Sequence, residues 1–384
     1  MVMVKHLLLF QSFFWFFLFN DVVVGGRLIG GDRSVEEKEN TFTSKASLVR
    51  YWNKEISGGS VVSEFLISKA SPLNAIESAT FNIENSLPDF CSAANLFCFP
   101  DLSSKFHSTL DDEKPGISFK GFHSHYPQSL GDNFIGYHSL GDNFIGYRRA
   151  YAQKNDGETV NKLVVPGLFF RESMLKEGTV VSLPEIKDVM PERSFLPRSI
   201  VSKLPFSVSK IGEIKEIFHA GENSMMEDII TNAVTECERP PSIGEMKQCV
   251  GAAEDMIDFA TKVLGRSVVL RTTENAAGSK GRVVIGKVNV INGGKITKSV
   301  SCHQSLYPYL LYYCHSVPKV RVYEVDLLES NSKTKINHGI AICHFDTSSW
   351  SPNHMAFIAL GSKPGRIEVC HWMFENEMNW TVAD

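Results

Sequence analysis

Four adjacent Cys-His pairs in the second half of the chain restrict its fold more than any other feature. They are Cys302-His303, Cys314-His315, Cys343-His344 and Cys370-His371. Strand-like residues surround them, and neighbouring side chains on a strand point to opposite faces. His344 alternates in phase with Ile340 and Ile342. His371 follows the same alternation, which predicts that both imidazoles share an apolar face while their cysteines point away. A single Cys-His pair is therefore a poor source of two ligands for one metal ion.

The eight cysteines of the chain have different meanings in a reducing and in an oxidising compartment. In a secreted chain we expect two disulfides among the four paired cysteines, and up to four histidines that converge on a metal ion. Apolar residues flank Cys302 and Cys314 on both faces, which leaves the orientation of those two pairs open. Imidazole suits copper, zinc, nickel and iron, and copper stands highest among the divalent ions. The alternative is that buried histidines hydrogen-bond to the backbone and bind no metal.

The N-terminus predicts secretion. Lys5 and His6 precede the apolar run LLLFQSFFWFFLF at residues 7–19. This run has the length of a secretory signal and is shorter than the roughly 20 residues of a membrane span. We expect a signal peptide over residues 1–25, cleaved after Gly25, and a mature chain without a membrane span. A signal anchor that continues through residues 22–24 is the alternative.

Two compositional zones separate this leader from the Cys-His region. Residues 26–118 form an N-terminal segment with a close cysteine pair, Cys91 and Cys98. Residues 119–167 form a repeat and linker, in which SLGDNFIGY occurs at 129–137 and again at 139–147. The aromatic residues of the two copies are Phe134, Tyr137, Phe144 and Tyr147. Gly-Asp-Asn favours turns, so the repeat is either a duplicated flexible linker or an aromatic binding surface.

Residues 224–264 predict a helical hairpin. Ser224 and Glu227 have the spacing of a capping box, and prolines at 240 and 241 stop the first helix. The second helix is expected to begin at Met246 and to close at Gly265. In an oxidising compartment a disulfide between positions 237 and 249 is favoured across the turn, and two buried thiols are the alternative. The strand-like runs after the hairpin are RSVVLRT, RVVIGKVNVI, KVRVYEVDLL, HGIAICHF, HMAFIAL and RIEVCHW.

These motifs resemble a known plant family. The four spaced Cys-His pairs that end in CHW are the signature of the BURP domain, and LFFRESMLKEGTVVSLPEI, CERPPSIGEMKQCVGAAEDMIDFA and YPYLLYYCHSVPKVRVYEVDLL resemble its other conserved segments. The resemblance covers residues 168–384. It implies an α+β protein, in which a mostly β BURP domain with a helical hairpin follows an irregular N-terminal segment with short aromatic repeats.

The N-terminal segment resembles one subfamily. TFTSKASLVRYWNKEI and LPDFCSAANLFCFPDL are similar to the non-catalytic beta subunit of polygalacturonase and its relatives. This resemblance implies a non-enzymatic protein of the apoplast and cell wall that binds a polygalacturonase catalytic subunit and influences pectin and cell expansion. Members carry a long array of Phe/Tyr repeats, whereas here only FIGY at 134 and 144, with FHSHY at 122, remain.

A second resemblance has a different implication. Some BURP proteins are copper-dependent peptide cyclases that crosslink a Tyr or Trp side chain. By that resemblance His303, His315, His344 and His371 would hold copper, and Tyr137 or Tyr147 would be substrates. A third possibility is a structural wall or stress-response protein that has no polygalacturonase partner.

The net charge of the chain limits the class of molecule that it is expected to bind. The chain has 39 Lys+Arg and 43 Asp+Glu, a net charge of −4, which argues against nucleic acid as the main partner. Seven histidines lie outside the leader and the four pairs. In a cell wall at about pH 5 most of them would protonate and bring the charge to roughly +3, so pectin binding should strengthen on acidification. The sequon at Asn379 is a candidate glycosylation site.

Overall fold

A computed structural model of the chain describes residues 43–81, 90–98, 166–188, 190–276 and 281–383. The predicted signal peptide at 1–25 and the repeat aromatics Phe134, Tyr137, Phe144 and Tyr147 lie outside the described residues. Both remain predictions.

Two antiparallel sheets form the framework of the described residues. The strands in chain order are β1 Phe169–Phe170, β2 Val180–Leu183, β3 Met246–Val250, β4 Val268–Thr272, β5 Gly281–Val290, β6 Ser299–Ser305, β7 Leu311–Ser316, β8 Val320–Glu329, β9 Lys335–His344, β10 Val369–Trp372 and β11 Met378–Val382. The first sheet has the order β1-β10-β9-β8-β5-β2 and the second has the order β3-β7-β6-β11-β4. The expected predominance of strands in the C-terminal domain is confirmed.

Short helices accompany the two sheets. They are α1 Ser44–Glu55, α2 Glu64–Ser68, α3 Ala75–Thr80, α4 Arg198–Val201, α5 Ile211–Ile217, α6 Met225–Glu238, α7 Ala253–Leu264 and α8 Met355–Leu360. Together with the sheets they establish the predicted α+β class. None of the helices in the described ranges combines the length and the apolar character that a membrane crossing requires.

The predicted helical hairpin is correct in its two helices and wrong about the segment between them. Ser224 accepts the backbone N–H of Glu227 at 3.1 Å and starts α6, and Gly265, with φ of +88°, ends α7. The stretch Met246–Val250, however, was expected to open the second helix and is instead strand β3, paired with β7. The unit is therefore helix, strand, helix.

Tertiary contacts explain why this stretch is extended. Five residues are too few to separate a helical period from a strand period, and β7 offers an edge with which they can pair. At Gly251 an added Cβ would lie 2.4 Å from a ring carbon of Tyr309. The chain passes this ring closely and becomes helical only at Ala253.

The run HMAFIAL was expected to be a strand and is helix α8. The Nδ1 of His354 accepts the backbone N–H of Ala356 at 3.2 Å, which caps the first turn. Gly361, in the left-handed conformation at φ of +57°, ends the helix. A short apolar run fits either structure, and here the residues at its two ends decide.

The N-terminal segment packs against the second sheet. Trp52 of α1 is buried, with 1% of its surface exposed, and its ring centroid lies 5.6 Å from that of Trp380 on β11. Leu48 belongs to the same apolar cluster, together with Met256 and Ala260 of α7. The described part of this segment is thus a structural component of the domain that carries the Cys-His pairs.

Candidate metal centre

The same arrangement of two Cys-His pairs occurs once in each sheet. In the second sheet Cys302 of β6 lies directly opposite Cys314 of β7, and the two form a disulfide. In the first sheet Cys343 of β9 lies directly opposite Cys370 of β10, and these also form a disulfide. Each pair of strands is therefore cross-linked at the cysteines, as expected for two disulfides among these four residues.

This register places the histidines on the opposite face of each sheet. Because each histidine follows its cysteine, the two imidazoles of a strand pair occupy diagonal positions on one face. Their ring centroids are 5.3 Å apart for His303 and His315, and 5.4 Å apart for His344 and His371. The predicted opposition of Cys and His is confirmed in the first sheet, and the structure resolves the open orientation in the second.

The two histidine faces meet at one cavity. The Nε2 atoms of His344 and His371 are 3.3 Å apart, and the ring of His303 lies 6.0 Å from that of His371. All four imidazoles line a cavity of about 380 Å³, to which Trp350 also contributes. The structure thus brings together, from two sheets, the four residues that the sequence placed in separate strands.

Three of the four imidazoles have a hydrogen-bond acceptor at Nδ1. His303 contacts the Oε1 of Glu377 at 2.8 Å, and His315 contacts the Oε1 of Glu245 at 3.0 Å. The Nδ1 of His371 is 3.2 Å from the backbone oxygen of Trp372. An ionised carboxylate and a carbonyl can only accept, so each Nδ1 carries the proton in the neutral ring and each Nε2 keeps its lone pair.

Glu245 is held by several donors. It lies in the loop between α6 and β3, where it accepts the Tyr313 hydroxyl at 2.5 Å and the backbone N–H of Ser242 at 2.7 Å. Arg239 pairs with its second oxygen at 3.4 Å. Burial alone would raise the pKa of this carboxyl, but the hydrogen bonds from His315 and Tyr313 outweigh burial and hold it well below its usual range. Glu245 is therefore an anion.

Burial disfavours the protonated form of three of the imidazoles, those of His315, His344 and His371. Desolvation, followed by the proximity of the other histidines, lowers the pKa of His371 to about 3 and that of His344 well below its ordinary value. Desolvation also lowers the pKa of His315. Their nitrogen lone pairs are thus available in mildly acidic solution, which metal coordination requires.

The donor chemistry of this cluster fits a transition metal that prefers imidazole. Unprotonated Nε2 atoms of His303, His315 and His371 face one cavity. A metal ion would replace the proton between the Nε2 atoms of His344 and His371, whose separation of 3.3 Å is close to the roughly 3.3 Å between two nitrogens on one tetrahedral ion with bonds of about 2.0 Å. As the side chains stand, no group of three or more His, Cys, Asp or Glu residues in the described ranges could hold a metal ion. The imidazoles would have to converge further for binding.

The remaining cysteines also pair. Cys237 at the end of α6 bonds to Cys249 of β3, and Cys91 bonds to Cys98. The favoured disulfide across the predicted turn is thus present, although one partner lies on a strand. Described residues include no free cysteine.

Asn379 is a poor glycosylation site in this fold. It lies on β11 between β6 and β4, with none of its surface exposed. Its Nδ2 donates to the Ser301 hydroxyl at 3.1 Å. A glycan on this nitrogen would have no room in the folded domain, so the sequon prediction conflicts with the structure.

Glu245 and Glu377 were missed by the sequence reasoning. Glu245 lies at the end of the predicted hairpin turn, directly before Met246. Glu377 lies in the connection between β10 and β11 that carries the chain from one sheet to the other. The spacing of Glu377, six residues after His371, gives no pattern that identifies a partner. Only the register of the two sheets brings it to His303.

Comparisons with known proteins agree with this architecture. The family model described as BURP domain matches residues 168–382. Polygalacturonase 1 beta-like protein 3 of Arabidopsis thaliana is 44% identical over an alignment of 629 positions that covers all of both chains. Polygalacturonase 1 beta-like protein 1 of Arabidopsis thaliana is 76% identical over 59% of this chain and 37% of its own length. Polygalacturonase-1 non-catalytic subunit beta of Solanum lycopersicum is 69% identical over 60% of this chain and 37% of its own length.

The chain thus spans little more than a third of two of these relatives. The residues matched by the family model include the two sheets and all four Cys-His pairs. The histidine cavity is built from strands that lie within the matched region. On the family match and the relatives' identities, this chain belongs to the BURP domain family.

Proposed function

We propose that this protein is a secreted cell-wall protein that associates with a polygalacturonase catalytic subunit and with pectin. The observation that carries this proposal is the 69% identity to a protein named as a non-catalytic subunit of polygalacturonase. Four disulfides suit an oxidising extracellular compartment.

The two carboxylates in the described lining of the cavity are engaged by other side chains. Glycoside hydrolysis uses two carboxyl groups that flank a sugar. The carboxylates in the described cavity lining are Glu245 and Asp346. Glu245 is committed to Tyr313 and His315, and Asp346 pairs with Lys319 at 2.6 Å. Neither is available as a hydrolytic acid or base.

Association with the enzyme can be measured directly. Purified protein is mixed with a wall polygalacturonase, and complex formation is followed by size-exclusion chromatography and by titration calorimetry. We expect a complex, together with no release of galacturonic acid by this protein alone. If no wall polygalacturonase binds at micromolar concentration, a structural wall role without this partner replaces the proposal.

Pectin binding has its own test. We expect retention on a pectin matrix to be stronger at pH 5 than at pH 7 and to weaken with added salt, because histidine protonation makes the chain more positive. Equal retention at the two pH values would contradict the electrostatic part of the proposal.

The four-histidine cavity favours a second candidate function, copper binding linked to peptide crosslinking. The residues that would hold copper are His303, His315, His344 and His371, because three of them present unprotonated Nε2 atoms to one cavity. A crosslink that removes two hydrogens from the peptide is a two-electron oxidation, for which bound copper would supply the one-electron chemistry and dioxygen would be the final electron acceptor. Tyr137 and Tyr147 of the repeat are the candidate substrates. The chain itself orients the imidazoles and, by burial, keeps those of His315, His344 and His371 unprotonated.

Metal analysis of the secreted protein and intact mass of its repeat peptides separate these candidates. Bound copper with a loss of two hydrogens in the repeat peptides after copper loading supports the crosslinking function. Bound copper without that mass change supports a binding site alone. Protein that takes up no copper contradicts the second candidate and leaves the first unaffected.

A further inference from the structure

We propose that Glu245 and Glu377 are positioning residues that fix His315 and His303 as Nδ1–H tautomers and so direct two Nε2 lone pairs into the cavity as ligands for a transition-metal ion. The metal part of this inference rests on the second candidate function above. The tautomers do not depend on it, since the carboxylates impose them in the metal-free protein.

Glu377 is the side chain that contacts the Nδ1 of His303. Its side chain is completely buried, and its two oxygens have separate partners: Oε1 contacts His303 at 2.8 Å, and Oε2 accepts the backbone N–H of Phe374 at 2.9 Å. Burying a carboxylate is costly unless it is well hydrogen-bonded. A carboxylate in this place therefore fixes one edge of the imidazole and leaves the other edge for the cavity.

Glu245 positions His315, which lies on β7, the other strand of the pair. Its position is set by a loop that the Cys237–Cys249 disulfide closes and that Arg239 braces. The Tyr313 hydroxyl donates to the oxygen that also contacts His315. A carboxylate that bonds the outer nitrogen of a ligating histidine orients the ring and raises its basicity. The adjacent strands β6 and β7 thus each carry a histidine whose Nδ1 contacts a glutamate carboxylate.

In the part of the chain that the structure describes, no carboxylate contacts His344 or His371, and this second pair provides the contrast. His371 is oriented by a backbone oxygen at 3.2 Å. For His344 the described residues offer a hydrogen-bond contact only at Nε2, toward His371. With the Nδ1 of His371 protonated, this contact is a hydrogen bond from the Nε2–H of His344. The carboxylate-anchored histidines therefore form a fixed half of the cluster.

The first test needs no metal. Two-bond ¹H–¹⁵N spectra of the full chain in the presence of a chelator at pH 7 report which nitrogen of each ring carries the proton. We expect Nδ1–H tautomers for His303 and His315 in the native protein. In E245A the His315 ring should move toward the Nε2–H form, while E245Q, which retains an acceptor oxygen, should restore Nδ1–H. Nε2–H tautomers in the native protein would overturn the proposal.

The second test adds copper(II) and measures affinity by chelator competition. We expect E245A to bind copper about 10–100-fold more weakly than the native protein, with E245Q in between. The matched control is E236Q, because Glu236 also pairs with Arg239, at 3.0 Å, but contacts no histidine. Unchanged affinity and tautomer in E245A would overturn the proposal. If the native protein shows the expected tautomers but takes up no copper, the positioning role of the two glutamates is supported and only the metal function is contradicted.

Discussion

Individual side chains in this protein gain their roles from hydrogen-bond partners that lie far away in sequence. His303 meets Glu377, 74 residues later, and His315 meets Glu245, 70 residues earlier. Each contact engages the Nδ1 of a ring in a hydrogen bond and leaves the Nε2 lone pair facing the cavity. The chemistry of the cluster is therefore set by four imidazoles together with their acceptors.

The unequal anchoring of the histidines has a measurable consequence. Substitution of His303 by Ala should weaken copper(II) binding about tenfold more than substitution of His344 by Ala, since an oriented ligand loses less freedom on binding. Copper affinity by chelator competition checks this. Equal losses in the two variants would show that anchoring at Nδ1 contributes nothing.

Glu236 provides a pH-dependent prediction away from the cluster. Burial raises the pKa of its carboxyl, against the opposing effect of Arg239. The folded chain then keeps this proton at pH values where the unfolded chain has released it, so the stability contributed by this group falls as pH rises from about 4 upward. Thermal unfolding of E236Q should show a gain over the native protein at pH 7 and none at pH 3.5.

The control for that prediction is Glu213→Gln on α5, where the carboxylate is half-exposed and pairs with Lys210 at 2.8 Å. Its unfolding temperature should follow that of the native protein at both pH values, because exposed ion pairs contribute little. If E236Q shows the same difference at pH 3.5 as at pH 7, ionisation of Glu236 is not the cause.

Pairs of strands are the units that build the site. In each sheet a disulfide joins directly opposed cysteines, and the following residues place two imidazoles diagonally on the other face. The bonded cysteines are 12 positions apart in sequence for Cys302 and Cys314 and 27 positions apart for Cys343 and Cys370. Each cross-link therefore both restricts the unfolded chain and fixes the register that the histidines require.

Removal of one cross-link should lower both the stability of the fold and its affinity for copper. The double variant Cys302→Ala with Cys314→Ala is expected to lose about 3 kcal/mol of unfolding free energy and also copper affinity, because the register of His303 against His315 is less restricted. Chemical denaturation and copper competition measure the two effects.

The disulfide between Cys91 and Cys98 is the matched control. Its cysteines are only 7 positions apart in sequence, and it does not line the histidine cavity. Replacing both of these cysteines by Ala should cost about 2 kcal/mol and leave copper affinity unchanged. Equal copper losses in the two double variants would mean that general destabilisation, not register, governs binding.

The folded core also includes residues that precede the segment with the Cys-His pairs. Helix α1 covers α7 and β11, and the indole N–H of Trp52 donates to the backbone oxygen of Ser60 at 2.7 Å. Residues 43–81 therefore complete an apolar cluster that would otherwise be open to water.

Substitution of Trp52 by Ala tests this. We expect a loss of about 3–5 kcal/mol, the usual cost of removing a buried aromatic side chain. Val61→Ala is the control, because 85% of its surface is exposed, and it should change stability by less than about 0.5 kcal/mol. A chain that tolerates Trp52→Ala without loss would show that α1 is not part of the folded core.

The alternation of residues around Cys343-His344 and Cys370-His371 was sufficient to predict strands with cysteine and histidine on opposite faces, because the alternation of side chains on a strand is a local property. The α+β class was implied by the resemblance to the BURP family. The same local reasoning made Met246–Val250 a helix and HMAFIAL a strand, since short apolar runs satisfy either period. Pairing with β7 and the cap at His354 decided those two cases.

The pairing of the four central cysteines, the meeting of histidines from two sheets, and the carboxylates behind His303 and His315 came only from the tertiary structure. These contacts join residues up to 74 positions apart, and their geometry depends on sheet order and register. A pattern read along the chain contains the residue types that such a site needs. It does not contain the distances between them, because those arise when the two sheets pack.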